Sequence, residues 1–502
     1  METTSNNKLV ALYFILIITT IIGFLLYFLQ SRFSTELYKQ AMLCMVALNT
    51  LLYISIRKLK YGEMRWLSIS TMFILGYFVV FFQIFLLDLF GFKLIKVYYS
   101  LIWINKAVMQ KSFGIASIGL LAFYVGASSI QLKSHKNIKN PNVTISPDYV
   151  FVVLTLAYIF YILFFIFAGS YRYGIYYAKD ASPLAVYCYK LFVVCLSAAV
   201  IIKVSYITSY KEKKLTFIKY LNIFGFPLLF LLVWHIVFST YVGDRGPVIS
   251  FTLLAFAMYF IRWQKLNLFR IIIAVLIAAS LMTLIGKIRS YRSSGMGYSR
   301  RLSEAVSEYS DKEGIDSKFG IKVPASETIE LALSVQTLNH ALYNVPDNYK
   351  FRYGLFQLNY FFSIVPGLSG MTNSLLYDGD EKYKSSSCFI TYLIQGDNPS
   401  YGNGTSIIAD FYLDFGVLGV IVGLFLLGLF IGRNESRLWK DYQKPTLIWI
   451  AILILFSKAL YLNRSSIGLE FSNIVLIFIF IKLNNTLVTY IKKIKLLKNF
   501  PK

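Results

Sequence analysis

Long apolar runs broken by short polar stretches dominate the chain. Twelve of them approach the roughly 20 residues that a helix needs to cross a bilayer. They occupy 9–29, 41–56, 66–89, 113–130, 149–168, 184–205, 221–238, 247–261, 269–285, 406–431, 447–462 and 467–481. The pattern predicts an all-α polytopic membrane protein of about twelve transmembrane helices. The first run follows Lys8 but exceeds a signal-peptide core and has no small-residue cleavage site after it, so it reads as the first span.

Between the runs, positive charge alternates. If the N-terminus is cytoplasmic, the even-numbered loops carry Arg57, Lys58, Lys60 and Arg65, then Lys133, Lys136 and Lys139, then Lys211, Lys213 and Lys214. Arg262, Lys265, Arg433, Arg437 and a lysine-rich tail continue the series, whereas most odd loops are poorer in Lys and Arg. Cytoplasmic loops are enriched in such residues, so both termini are expected on the cytoplasmic side of the membrane.

One connection breaks the economy of the rest. Residues 287–404 contain no full-length span, and on this topology they face outward. A structureless loop of that length is improbable, so a cap of short helices is expected. The chain then divides into 1–286 with nine spans, 287–404 as one large outward-facing loop, and 405–502 with three spans and the basic tail. Within the loop, Ser326 is positioned to start a helix reaching about Asn344. Residues 353–365, apolar, aromatic and closed by Pro366, suit the membrane interface or a re-entrant segment. The loop begins with Lys287, Arg289, Arg292, Arg300 and Arg301, a basic strip on the side where the topology disfavours it.

Composition agrees with the pattern. Hydrophobic residues make up 57% of the 502 positions and charged residues 15%, well below the quarter usual for soluble domains. Mean hydropathy is +0.60. The net charge of +25 falls mostly where anionic lipid headgroups favour it, so it calls for no nucleic acid. Four scattered cysteines make no disulfide framework, and three scattered histidines make no metal signature. No phosphate-cradling loop is present, which argues against an ATP-driven pump. No cofactor or metal is expected.

Ionisable groups inside spans are costly and point to cavities, partners or pathways. Asp88, Lys190, His235, Asp410, Asp414, Lys458 and Glu470 fall in the outer parts of their spans, and Asp244, Arg245 and Arg464 just beyond span ends. A shared outward polar cavity is the sharper reading, and separate pairing at helix ends the plainer one. Asp410 and Asp414, four apart, share a helix face, and Gly402, Asn403, Gly404 and Thr405 open that helix. Residues 243–247, Gly-Asp-Arg-Gly-Pro, form a tight turn that holds Arg245 on a short connection.

Three stretches together resemble the Wzy-type O-antigen and capsular oligosaccharide repeat unit polymerases. They are Asp244-Arg245-Gly246-Pro247, then Gly402-Asn403-Gly404-Thr405-Ser406 leading to Asp410, Tyr412 and Gly416, and finally Arg464-Ser465-Ser466. The spread of spans and the single large outer loop extend the likeness over most of the chain, and a GT-C-like glycosyltransferase architecture is compatible with that plan. The resemblance implies a glycosyltransferase that takes a growing glycan from undecaprenyl pyrophosphate and joins it to a new lipid-linked repeat unit at the outer face. It implies an undecaprenyl-pyrophosphate-linked oligosaccharide and membrane lipid as partners, with a chain-length regulator protein as a further candidate.

The Arg-x10-Gly spacing of related ligases is absent after Arg289, Arg292, Arg300, Arg301 and Arg352. On this reading Arg245, Arg289, Arg292 and Arg464 are candidates for the pyrophosphate, since the guanidinium fork pairs two phosphate oxygens. Asp410 or His340 is the candidate base, with Arg245 beside it in the catalytic set. Asp244, Asp414, Tyr412 and Asn403 are candidates for the sugar. A lipid-linked oligosaccharide flippase and an O-antigen ligase-like transferase are the alternatives.

Overall fold

The computed structural model describes residues 2–63, 65–90, 106–129, 150–169, 182–210, 214–264, 266–290, 300–304, 326–365, 367–377, 379–441 and 443–498, and among these it is all-helical, without a strand. The principal helices are α1 (Glu2–Phe28), α2 (Thr35–Tyr61), α3 (Ile69–Leu89), α4 (Lys106–Ala127), α5 (Phe151–Phe167) and α6 (Pro183–Ile207). There follow α7 (Phe217–Phe224), α8 (Phe226–Val242), α9 (Arg245–Trp263), α10 (Leu268–Ser290), α11 (Ser326–Ala332) and α12 (Val335–Asn344). The chain continues through α13 (Leu355–Phe362), α14 (Leu368–Tyr377), α15 (Ser386–Gln395), α16 (Ile407–Asn434), α17 (Leu447–Lys458) and α18 (Ile467–Lys498).

Among the described residues, eight helices are long and apolar enough to cross a membrane, and α7 with α8 would make a ninth. Three shorter apolar helices lie within α5, α10 and α17. Every apolar run thus becomes helix, and the protein is a multi-pass membrane protein. Two runs depart from a single straight rod. The seventh bends by 98° at Gly225, whose φ of 77° is left-handed and which Pro227 follows. The tenth is interrupted at Gly416, with φ 64° and ψ −153°, a conformation essentially reserved for glycine. The helix expected from Ser326 also divides, ending at Ala332 and restarting at Val335.

Two compact units make up the chain. The first comprises Met1–Lys136, Gly314–Ser436 and Ala459–Leu469. In it α4 and α16 press backbone to backbone. A Cβ on Gly126 would collide with the Phe425 carbonyl, and Cβ atoms on Gly428 and Gly432 would strike the Phe123 and Ala127 carbonyls. Small residues permit such approach where lipid offers no hydrophobic drive between helices. At the Asn434 end of α16, buried Arg57 and Glu435 pair at 3.1 Å. The Glu435 carboxylate also accepts from the Ser70 N–H and hydroxyl, and Arg57 donates to Ser68 and Thr71. These bonds compensate the desolvation that a buried pair must overcome.

The second unit comprises Asn137–Glu313, Arg437–Lys458 and Glu470–Lys502. Trp449 Nε1 donates to Ser205 Oγ at 2.9 Å, tying α17 to α6. The Val153 N–H donates to Asn484 Oδ1 at 3.3 Å, tying α5 to α18. His235 is buried in a ring nest of Tyr161, Tyr189, Phe192 and Phe251.

Candidate active site

The local sequence sets the start of α16 firmly. Gly404 takes a left-handed φ of 74°, and Ser406 then caps the helix by accepting the Ala409 N–H, satisfying an orphan donor of the first turn. Thr337 of α12 donates to the Ser406 hydroxyl at 3.0 Å. One turn inward, Asp410 and Asp414 are both fully buried on one face of the helix.

Their surroundings differ. Asp410 Oδ2 accepts from Gln357 Nε2 at 2.7 Å and from Ser466 Oγ at 2.8 Å, while Oδ1 is shut from solvent without a hydrogen bond. The Ser386 hydroxyl stands beside the carboxylate and contacts Tyr360 Oη at 3.3 Å. Ser466 has a second task, accepting the Gly468 N–H at the head of α18. Asp414 instead serves the backbone. Its Oδ1 accepts the Phe356 N–H, with the Gly354 and Gln357 amides also directed at the carboxylate, so it caps α13. The same loop is pinned along α16 by the Arg352 and Tyr353 N–H groups, which donate to the Leu413 and Asp414 carbonyls, each at 2.9 Å.

Two arginines accompany this centre. Arg464 sits on the turn Leu462–Arg464, two residues before Ser466. It is half-buried and joins no ion pair among the described residues. The Arg352 guanidinium lies 4.0 Å from the Tyr383 ring centre and 4.5 Å from that of Tyr377, its Nε and Nη2 buried without an acceptor. An arginine stacked on rings keeps its charge while its solvation is replaced by π faces.

The other predicted site residues scatter. Tyr412 donates its hydroxyl to the Val345 carbonyl at 2.9 Å and packs on Phe351, a clasp between α16 and the end of α12. The Asn403 N–H donates to Thr391 Oγ1, and its side-chain nitrogen is buried without a partner. His340 lies on α12, one turn beyond Thr337; burial lowers its pKa from the ordinary 6.5, and no hydrogen bond joins it to Asp410. Asp244 and buried Arg245 belong to the second unit, where Asp244 caps α9 by accepting the Gly246 N–H at 3.3 Å. Arg289 ends α10 with its side chain outside the described residues, and Arg292 lies outside them altogether. Several span-end charges are paired: Asp88 with Lys39 at 3.2 Å, and Lys458 with Glu470 at 2.7 Å.

Sequence reasoning passed over Gln357 and Ser386, and weighed Arg352 only for its spacing to a glycine. Gln357 had a signal, being an amide-bearing residue inside the apolar 353–365. Ser386 sat in an ordinary serine run and had none.

The fold and site define a class: a multi-pass membrane protein with a buried pair of carboxylates at the head of one interrupted helix. A family model described as O-antigen polysaccharide polymerase Wzy matches residues 11–495. The chain belongs to that family of glycosyltransferase-like polymerases. No match was found among curated proteins or solved structures.

Proposed function

We propose that the chain polymerises undecaprenyl-pyrophosphate-linked oligosaccharide repeat units, with Asp410 as general base. The acceptor sugar hydroxyl gives its proton to the Asp410 carboxylate as its oxygen bonds the anomeric carbon of the donor glycan. The bond from that carbon to the phosphate oxygen breaks, and the lipid diphosphate leaves with the electron pair. Gln357 and Ser466 hold one carboxylate oxygen and so aim the other at the incoming proton, which base catalysis requires. Arg464 is suited to the charge developing on the leaving group, because arginine stays protonated and pairs two phosphate oxygens. Arg245, Arg289 and Arg292 remain sequence-level candidates for the same task. Asp414 is reassigned from the sugar to positioning, because its carboxylate carries the start of α13 and thereby Gln357.

Asp410 carries this reading. Its carboxylate is fully buried, held by one oxygen and left without a hydrogen bond at the other, in a chain of the polymerase family. The test is complementation of a deletion strain with Asp410→Asn at matched membrane abundance. Loss of a base is expected to cut chain formation by about 10²–10⁴, leaving single repeat units in place of long chains. Undiminished chain length would remove Asp410 from the chemistry. Long chains in the deletion strain itself would exclude a polymerase.

A further inference from the structure

Helices α13 and α14 form a hairpin whose polarity is inside out. From 354 to 377 the sequence holds no charged residue, while Lys350 and Arg352 precede it and Asp378, Asp380 and Glu381 follow. Its amide side chains and Thr372 turn toward the protein, with Ser374 exposed. Gln357 reaches Asp410, and Thr372 of α14 donates to Asn359 Oδ1 of α13 at 2.9 Å. Asn359 Nδ2 donates to the Lys384 carbonyl, and Asn373 Nδ2 to that of Asp380. Six of its apolar side chains turn away, while Phe356 and Tyr360 face inward. Leu358, Phe361, Val365, Met371, Leu375 and Leu376 are all exposed, Leu375 to 81% and Met371 to 63%. A cap bathed in water would show the opposite pattern.

The hairpin's level in the molecule identifies what covers that face. The start of α13 is bonded to residues 413–414, next to the Gly416 break. Gln357 and Tyr360 lie against Gly468, where a Cβ would meet the Gln357 Oε1 at 2.6 Å and the Tyr360 Cβ at 3.1 Å, at the head of the apolar helix α18. The hairpin therefore crosses the ends of two spanning helices, where hydrocarbon gives way to headgroups. An uncharged segment bracketed by charges, with one strongly apolar face, is suited to lie in that boundary.

We infer that the α13–α14 hairpin is immersed in the membrane boundary and that its exposed face is covered by the acyl chains of the bilayer lipid. One short helix then has two duties, lipid on one side and the Asp410 carboxylate on the other. Resting on the polymerase reading above, this gives a prenyl-linked substrate a lateral approach, its tail staying in the bilayer while its sugar reaches Asp410.

The test uses the full chain in phospholipid vesicles, with Cys44→Ser and Cys388→Ser to clear the accessible thiols. Single substitutions Met371→Cys, Leu375→Cys and, as an aqueous control, Tyr401→Cys carry a bimane label. Doxyl-labelled phospholipid should quench the labels at 371 and 375 several-fold more than iodide does, with the order reversed at 401. Equal or stronger quenching by iodide at 371 and 375 would overturn the inference. So would protection of both sites from both quenchers, which would mean a protein partner such as a second copy. Because the readout needs no catalysis, its failure is distinguishable from failure of the polymerase reading.

Discussion

Asp410 and Asp414 have the same side chain, the same burial and one turn of helix between them, yet their partners divide the labour. A carboxylate facing backbone amides is committed to holding a helix start, whereas one held by a serine and a glutamine through a single oxygen has capacity left to accept a proton. The sequence made the pair visible through its four-residue spacing and could not separate the roles, because the separating partners lie 50 or more positions away in 354–357 and at 466. Arg464 was legible as a cation beyond a span end; the caged Arg352 was not, because its rings at 377 and 383 come from another helix and the turn after it. Substitution should separate the arginine's charge from its geometry. Arg464→Lys keeps the charge and loses the planar fork, so it should retain only part of the chain-forming rate in a membrane assay with lipid-linked repeat units, and Arg464→Ala less still. Equal rates for both variants and the parent would exclude Arg464 from binding the leaving group.

Among the elements, α16 carries the most consequence. Its apolar run was plain in the sequence and its interruption was not, since glycine is frequent in membrane helices and a φ of 64° at Gly416 leaves no mark in a hydropathy pattern. The same holds for Gly225, where the seventh run turns through 98°. The α16 break is also packed, since a Cβ on Gly416 would stand 3.1 Å from the Phe351 ring. Gly416→Ala should therefore cost about 1–3 kcal/mol from backbone strain, read as a lower unfolding midpoint in detergent. An unchanged midpoint would mean that the helix can straighten without loss. The cap was legible as helical, because 118 residues without a span call for internal structure, but which of its side chains face one another depends on contacts that sequence periodicity does not reach.

At the scale of the whole molecule, apolar run length gave the membrane class, and among the described residues eight helices, or nine with the bent pair, are long and apolar enough to cross, against twelve runs. Loop charge predicts an orientation, with both termini and the Arg57–Glu435 pair on the cytoplasmic side and Asp410 outward, and nothing in the helices themselves fixes it. That orientation decides whether the site can meet a glycan displayed at the outer face. In intact cells, Tyr401→Cys in a background lacking Cys44 and Cys388 should react with a membrane-impermeant maleimide, whereas Asn434→Cys in the same background should require permeabilised cells. The reverse pattern would invert the protein and remove the proposed substrate from the site.

The position of the α16 break has a further consequence. Beyond Gly416, residues 417–434 extend about 27 Å at 1.5 Å per residue, close to the thickness of a bilayer's hydrocarbon. Crossing is complete without the nine residues Ile407 to Phe415. That first stretch is released from transmembrane duty, so what constrains it is the bonding of Asp410, Asp414 and Tyr412 rather than the need to cross hydrocarbon.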